Sequence, residues 1–149
     1  MATSTVKWST YSAATTYLSS ELDALADAGN KLGGALDNTV PHDMYSDWQV
    51  YATAAATRDV GGRIDLYFLP SVDGTNYAYG DDSVDPSTAS LVGSMILPSG
   101  STSEYSSVLT HVLMPAGKFK ALAENQTGAA LGGSASIIQF AIYNETIVS

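Results

Sequence analysis

The sequence contains no cysteine among its 149 residues, so it can form neither disulfide bonds nor zinc sites built on thiolates. Thiol nucleophiles are excluded for the same reason. The chain also lacks any run of about 18 apolar residues, which is the length that a membrane-spanning helix requires. We therefore expect a soluble protein, synthesised in the cytoplasm, that is stabilised by side-chain packing, sheet hydrogen bonds or association with other subunits.

Charge is scarce and unbalanced. Charged residues make up 14% of the chain, against about 25% in an average soluble domain. The 15 acidic and 6 basic residues give a formal net charge of -9, and most of the acidic residues lie between Glu21 and Glu104. Because phosphate backbones and anionic lipids are bound through Lys and Arg, we expect neither nucleic acid nor membrane as a partner. A weakly charged surface instead suits a protein that packs against neighbours.

Apolar and polar residues alternate in several segments that are bounded by Gly, Pro, Asn or Ser. Alternate positions are apolar from 48 to 54 (Trp, Val, Ala, Ala) and from 64 to 68 (Ile, Leu, Phe), which predicts two half-buried strands. We expect a tight turn around Arg58 and Asp59 to join them. Similar segments bring the total to about seven or eight strands, which predicts an antiparallel sandwich or barrel. No composition break divides the chain, so residues 1–149 form one predicted domain.

One segment near the N-terminus favours a short helix. In SSELDALADAGNKLGG, residues 19–34, Ser20 and Asp23 fit a capping box. The leucines at 18, 22 and 25 fall on one helical face, and Gly29 is placed to end the helix. A loop remains the alternative, because Ser and Thr dominate the approach to this segment.

An acidic stretch, DLYFLPSVDGTNYAYGDD at residues 65–82, raises the question of a metal site. Asp73 and Gly74 directly follow an alternating strand, which is a strong signal for a hairpin turn. The spacing of the carboxylates from 73 to 85 does not match a calcium-binding loop. We therefore interpret the stretch as a turn, and whether it also binds a cation stays open.

No residue pattern indicates catalysis. His42 and His111 are far apart and show none of the spacings typical of zinc sites, so we interpret both as structural. The chain has no G-x-S-x-G elbow, and its two Gly-Gly pairs precede strands rather than a phosphate-binding helix. We expect no enzymatic activity, no cofactor and no metal.

Aromatic residues offer the best candidates for contact with a partner. Tyrosine is the commonest of them, with nine copies, and exposed Tyr and Trp often bind sugars or proteins. Tyr77, Tyr79 and Tyr105 lie in or near predicted loops. Together with Trp8 they are the predicted partner-contact residues, although packing within the sheet is the alternative role for each.

Several stretches together resemble a group of small structural proteins from tailed bacteriophages. The resemblance spans roughly residues 15–146, and its motifs occur in the same order along the chain as in that group. These are TYLSSELDALADAG with a following LDN, the strand DLYFLPSVDGTNY, the segment MPAGKFKALAENQTGAAL and the closing SIIQFAIYNE.

The resemblance implies a β-sandwich of jelly-roll type with at most one short helix. It implies a role on the outer surface of the virion, as a head decoration or cement protein that binds the major capsid protein. Such proteins often sit at lattice symmetry axes, so we expect a closed homo-oligomer, with a trimer favoured. Residues 1–17 are expected to form an extended arm. The alternatives are a tail or fibre-associated module and a carbohydrate-binding sandwich.

Overall fold

The computed structural model describes residues 5–100 and 102–148, which form ten β-strands and two single turns of 3₁₀ helix. The 3₁₀ turns are Ser20–Leu22 and Thr88–Ser90. The strands are β1 (Thr5–Trp8), β2 (Thr15–Leu18), β3 (Asn30–Asp37), β4 (Tyr45–Ala52), β5 (Arg63–Ser71), β6 (Leu91–Ile96), β7 (Tyr105–Leu113), β8 (Lys118–Gln126), β9 (Ile137–Tyr143) and β10 (Glu145–Val148).

Eight strands form two four-stranded antiparallel sheets. The first sheet has the order β2-β9-β4-β7, and the second sheet has the order β3-β8-β5-β6. Within the part of the chain that the structure describes, strands β1 and β10 pair only with each other and form a two-stranded terminal ribbon. The predicted all-β sandwich is therefore confirmed.

The pairing has a nested order that defines the jelly roll. β5 pairs with β6, β4 with β7, β3 with β8, β2 with β9 and β1 with β10, so the chain forms one long hairpin. This hairpin is rolled up, which adds the lateral pairs β4-β9 and β5-β8 and closes the two sheets. A rolled double Greek key of eight strands is the jelly-roll arrangement. The terminal ribbon is the open end of the same hairpin.

The core lies between the sheets and follows the predicted alternation. Trp48, Val50 and Ala52 of β4 are buried, as are Ile64, Leu66 and Phe68 of β5. Aromatic rings bridge the two sheets: the centroid of Trp48 lies 5.5 Å from that of Phe68. Phe68 in turn contacts the fully buried Phe119 at 4.9 Å.

Strand β5 is more deeply buried than its alternation predicted. Asp65 and Tyr67 point away from the core, yet both are buried. Asp65 accepts hydrogen bonds from Arg63 and Ser94. Tyr67 is covered by residues 72–90, here called the covering segment, which folds back over the outer face of the second sheet. Tyr67, Leu69 and Leu122 form a second apolar cluster there, and the covering segment contributes Tyr77 and Ala78 to it.

The segment that favoured a short helix adopts the loop that was its alternative, apart from one 3₁₀ turn. Only Ser20–Leu22 is helical, as a 3₁₀ turn without a side-chain cap at Ser19, and β3 begins at Asn30. Asn125 of β8 explains the difference, because its side-chain amide donates to the carbonyls of Leu25 and Ala26, each at 3.0 Å. These tertiary hydrogen bonds hold the segment in an irregular conformation. Their contribution to stability outweighs the helical propensity of the segment.

The predicted turn between β4 and β5 is also wrong, because the two strands lie in different sheets and residues 53–62 cross between them. Arg58 anchors this crossing from a buried position. Its Nε donates to the carbonyl of Pro98 at 3.0 Å, and its Nη2 donates to that of Ser103 at 3.1 Å. The guanidinium also lies 4.9 Å from the ring centroid of Tyr105.

The role of the aromatic rings in the core can be tested with Phe119→Ala. We expect the free energy of unfolding to fall by about 3–5 kcal/mol, because a buried ring is replaced by a cavity. Urea unfolding followed by circular dichroism measures the change. Val60→Ala is the control, since Val60 is 94% exposed and its truncation should change stability by less than about 0.5 kcal/mol. Equal destabilisation by both variants would contradict the assignment of Phe119 to the core.

Candidate partner-contact site

The four predicted contact residues do not form one surface. Tyr79 is 73% exposed on the covering segment, outside the second sheet. Tyr77 is half-buried beside it, with its ring on the outer apolar cluster and the Lys120 ammonium 4.5 Å from its ring centroid. The loop that carries Tyr77 and Tyr79 therefore lies against the outer face of the second sheet.

Tyr105 and Trp8 have different environments. Tyr105 begins β7 and packs against the main core, where its ring meets the guanidinium of Arg58. Trp8 ends β1, is 56% exposed and lies on the outer side of the first sheet. It makes edge-to-face contacts with Tyr45, His111 and Tyr143 at centroid distances of 5.9, 5.3 and 5.5 Å.

Trp8 belongs to a larger group of rings that we call the outer aromatic cluster. Tyr45 stacks on His111 at 4.1 Å, and Tyr11 stacks on Tyr143 at 5.5 Å. The members of the cluster are Trp8, Tyr11, Tyr45, His111 and Tyr143. Of these, only Trp8 was among the predicted contact residues.

Strand register explains how the cluster forms. Tyr45 and Tyr143 are direct partners in the pairing of β4 with β9, and both occupy outward positions. In β7, Thr110 and His111 together lie opposite the single residue Asp47, which is a β-bulge. His111 has a left-handed backbone with φ of 59°. The bulge turns its ring onto the outer face, where it stacks with Tyr45.

Asp47 connects three members of the cluster through hydrogen bonds. Its Oδ2 accepts a hydrogen bond from the Tyr11 hydroxyl at 2.6 Å. Its Oδ1 accepts from the backbone N–H of His111 at 2.7 Å and from the Tyr143 hydroxyl at 3.1 Å. Burial, followed by the contact with Asp47, raises the pKa of both tyrosine hydroxyls. Both therefore remain hydrogen-bond donors at neutral pH.

The terminal ribbon adjoins this cluster and is exposed along its whole length. Val6 pairs with Ile147, and Trp8 pairs with Glu145, so three large apolar side chains share one face of the ribbon. Val6 and Ile147 are 62% and 77% exposed. Trp8 packs on the outer aromatic cluster, but the ribbon is otherwise exposed. A two-stranded ribbon of this kind is marginally stable in water, and its strand edges favour pairing with another chain.

The predicted arm at residues 1–17 is only partly separate from the sandwich. Residues 1–4 lie outside the described residues, and Thr5–Trp8 forms the ribbon. Beyond Trp8, the backbone N–H of Ser9 donates to Asn144 at 2.7 Å and that of Ser12 donates to Ile142 at 3.0 Å. Thr15–Leu18 is already a strand of the first sheet.

The carboxylates of the acidic stretch are engaged in local hydrogen bonds. Asp73 Oδ1 accepts from the backbone N–H groups of Thr75 and Asn76, both at 2.8 Å, and Gly74 has φ of 73°. Asp82 accepts from the backbone N–H of Leu32 at 2.6 Å and from the Lys31 ammonium. The geometry is that of the predicted turn, followed by a segment attached to β3.

The described ranges 5–100 and 102–148 contain neither a metal-binding group of side chains nor a membrane-spanning helix. No group of three or more His, Asp or Glu side chains is arranged to hold a metal ion, and no helix has the length and apolar character needed to cross a lipid bilayer. Comparison with models of known protein families and with curated proteins gave no match. The resemblance to phage structural proteins therefore remains a prediction.

The hydrogen bonds of the covering segment predict a dependence of stability on pH. The pKa of Asp73 is lowered by the N–H groups of Asn76 and Thr75, and that of Asp81 is lowered by Ser83. A lowered pKa stabilises the fold above the unfolded-state value of about 3.9, and this contribution is lost as the pH falls below it. We expect urea unfolding at pH 3 to show lower stability than at pH 6.

Asp73→Ala should reduce this loss between pH 6 and pH 3, because the variant lacks one of the contributing carboxylates. Glu104→Gln is the matched control, since Glu104 is exposed and makes no hydrogen bond within the described part of the chain. The control should lose as much stability as the wild type. If Asp73→Ala and the wild type lose the same amount, the Asp73 turn does not contribute.

Proposed function

We propose that this protein is a structural protein of a bacteriophage virion, which decorates the outer surface of the capsid, binds the major capsid protein and stabilises the head. The jelly roll is compatible with this role, but one fold hosts many functions. The proposal therefore rests on the surface of the molecule, and above all on the terminal ribbon.

The exposed apolar face of the ribbon is the observation that carries the proposal. Val6, Trp8 and Ile147 share this face and cover no part of their own core. Contact with another protein removes such side chains from water and is worth roughly 25 cal/mol for each Å² of apolar surface buried. It also pairs or covers the open strand edges.

The charge distribution supports a protein partner. Lys31, Arg63 and Lys118 form ion pairs with Asp82, Asp65 and Asp37 respectively. Arg58 is buried, and Lys120 lies over the ring of Tyr77. These five cations are thus engaged within the molecule, whereas Lys7, on the ribbon, forms no ion pair with any residue in the ranges 5–100 and 102–148. An acidic surface of this kind repels nucleic acid, whereas the ribbon carries the balanced charges of Lys7 and Glu145.

Decoration also explains how a small contact can suffice. A capsid lattice presents the same site many times, and a closed oligomer engages several sites at once. Linked contacts of this kind raise the overall affinity above that of each single ribbon. We include a homo-trimer in the proposal for this reason.

Binding to purified capsids that lack the protein tests the role of the ribbon. We expect the wild type to co-sediment with such capsids at a saturating stoichiometry. The double variant Val6→Ser, Ile147→Ser should bind at least about tenfold more weakly, because it removes an apolar cross-strand pair from the interface. Val60→Ser is the control, since Val60 is also an exposed apolar residue, 94% exposed, and does not belong to the ribbon.

A ribbon variant that binds capsids as well as the wild type would contradict the proposed interface. Failure of the wild type to bind any capsid would contradict the decoration role itself. Binding to phage tails instead would favour the tail-associated module that the sequence resemblance also permits.

The oligomeric state is a separate expectation. Sedimentation velocity should report a species of three chains in the absence of capsids. If the trimer forms through another surface, the Val6→Ser, Ile147→Ser variant remains trimeric while losing capsid binding. A monomer at all concentrations would contradict the trimer and leave the capsid contact to be judged by the binding experiment.

A further inference from the structure

A groove runs across the outer face of the first sheet, and Tyr11 lies at its middle. On one side of Tyr11 is a hollow of about 210 Å³, lined by Tyr11, Ala14, Asp47, Gln49, Val108, Gln139, Phe140 and Ala141. On the other side is a hollow of about 350 Å³, bounded by Trp8, Ser9, Tyr11 and Tyr143. We call the two together the aromatic groove. The larger hollow falls within the range of roughly 300–1,000 Å³ that is typical of ligand sites, and the smaller hollow lies below it.

Small residues create the first hollow. Ala141 is paired with Asp47 across β9 and β4 and lies on the floor, while Ala14 belongs to the N-terminal segment that forms the wall. A larger side chain at either position would fill the space. The segment itself is fixed by two hydrogen bonds between Ser12 and Ile142, one through each backbone N–H.

The groove offers neutral hydrogen-bonding groups. Gln49 and Gln139 are direct cross-strand partners, and the Gln139 amide nitrogen donates to the Gln49 carbonyl oxygen at 2.9 Å. This bond leaves the amide nitrogen of Gln49 and the carbonyl oxygen of Gln139 without a partner in the described structure. One donor and one acceptor therefore remain for a ligand, side by side on the floor.

The aromatic rings are held in place by contacts within the protein before any ligand binds. Tyr11 is 52% exposed, and its hydroxyl is held by Asp47 at 2.6 Å while its ring stacks on Tyr143. Trp8 is fixed edge-on against Tyr143 and leaves more than half of its surface exposed. Because these rings are already ordered, a ligand that stacks on them loses little affinity to ordering.

The lining excludes one class of ligand and favours another. No Lys or Arg lines either hollow, and the carboxylate of Asp47 stands in the wall, so an anion would meet only negative charge. A purely apolar ligand would leave the two glutamines unpaired, which is unfavourable. Neutral sugars carry apolar C–H faces that stack on aromatic rings and hydroxyl groups that bond to amides. We propose that the aromatic groove is a binding site for a neutral saccharide.

This inference does not depend on the proposed capsid role. Tyr11 and Ala141 belong to the groove and lie outside the ribbon, whereas Val6 and Ile147 belong to the ribbon and do not line the groove. The two surfaces can therefore be disrupted separately, and each proposal can fail while the other holds.

The first experiment is a glycan array that carries neutral oligosaccharides together with sialylated and sulfated ones. We expect binding to at least one neutral glycan and weaker or no binding to its acidic counterparts. Titration of the best neutral glycan is then followed by tryptophan fluorescence. Of the two tryptophans, Trp48 is fully buried and Trp8 is exposed, so a change in emission on binding reports on the groove.

Variants locate the site. Tyr11→Ala removes the central ring, and Ala141→Leu fills the first hollow. Each is expected to weaken saccharide binding at least about tenfold, equivalent to roughly 1.4 kcal/mol. Tyr11→Phe keeps the ring and should bind within about threefold of the wild type, which corresponds to about half of that free energy or less. Tyr79→Ala is the matched control, because Tyr79 is exposed but lies outside the second sheet.

Several outcomes would overturn the proposal. The first is that no neutral glycan on the array binds, and the second is that acidic glycans alone bind. Unchanged affinity in both Tyr11→Ala and Ala141→Leu would show that the saccharide binds elsewhere. Loss of binding in Tyr79→Ala alone would place the site on the covering segment. Circular dichroism of each variant establishes that it is folded before its affinity is compared.

Discussion

The contact between Trp48 of the first sheet and Phe68 of the second sheet is the interaction on which the rest of the structure depends. It joins β4 to β5, the strands that lie at the inner positions of their sheets, and Phe119 extends it through β8. A sheet has two faces, and once these rings occupy the inner faces every alternate residue must point outward. The position of the outer aromatic cluster follows from this alternation.

The nested pairing has a second consequence, which concerns the ends of the chain. In a long hairpin that is rolled up, the two termini must emerge side by side. Thr5 is opposite Val148, 143 positions later in the sequence. Strand pairs with such large separations order slowly, because the loops that they close are long. The ribbon therefore combines residues from both ends of the chain into one exposed surface.

The two outer faces of the sandwich differ in a way that bears on function. The covering segment closes the face of the second sheet with Tyr77 and Ala78 over Tyr67, Leu69 and Leu122. On the outer face of the first sheet lie residues 9–14 and Trp8 of the ribbon, and the outward tyrosines Tyr45 and Tyr143 remain partly exposed. Surfaces for contact are thus concentrated on the first sheet and the ribbon, where Trp8 belongs to both.

Local patterns in the sequence predicted the features that depend on near neighbours. The alternation around Trp48 and Ile64 gave the buried faces of β4 and β5, and Asp73 with Gly74 gave the turn. Features that depend on distant partners were missed. The segment that favoured a short helix forms the alternative loop because Asn125 binds it from β8, about 100 residues away.

The outer aromatic cluster was missed for the same reason. Its rings come from positions 8 to 143, and only the register of β4 with β9 brings Tyr45 and Tyr143 together. The bulge that reorients His111 exists only when β7 is paired with β4. One signal was present in the sequence: extending the alternation of residues 48–54 back to Tyr45 puts this residue on the outward side, so its orientation could have been inferred.

The copy number of this protein in purified virions tests the proposed role most directly. Quantitative mass spectrometry against the major capsid protein measures it. A decoration protein that binds a repeated lattice site should be present in hundreds of copies, in a fixed ratio to the capsid protein. A number of only a few copies per particle would contradict capsid decoration and would indicate a unique position in the virion instead.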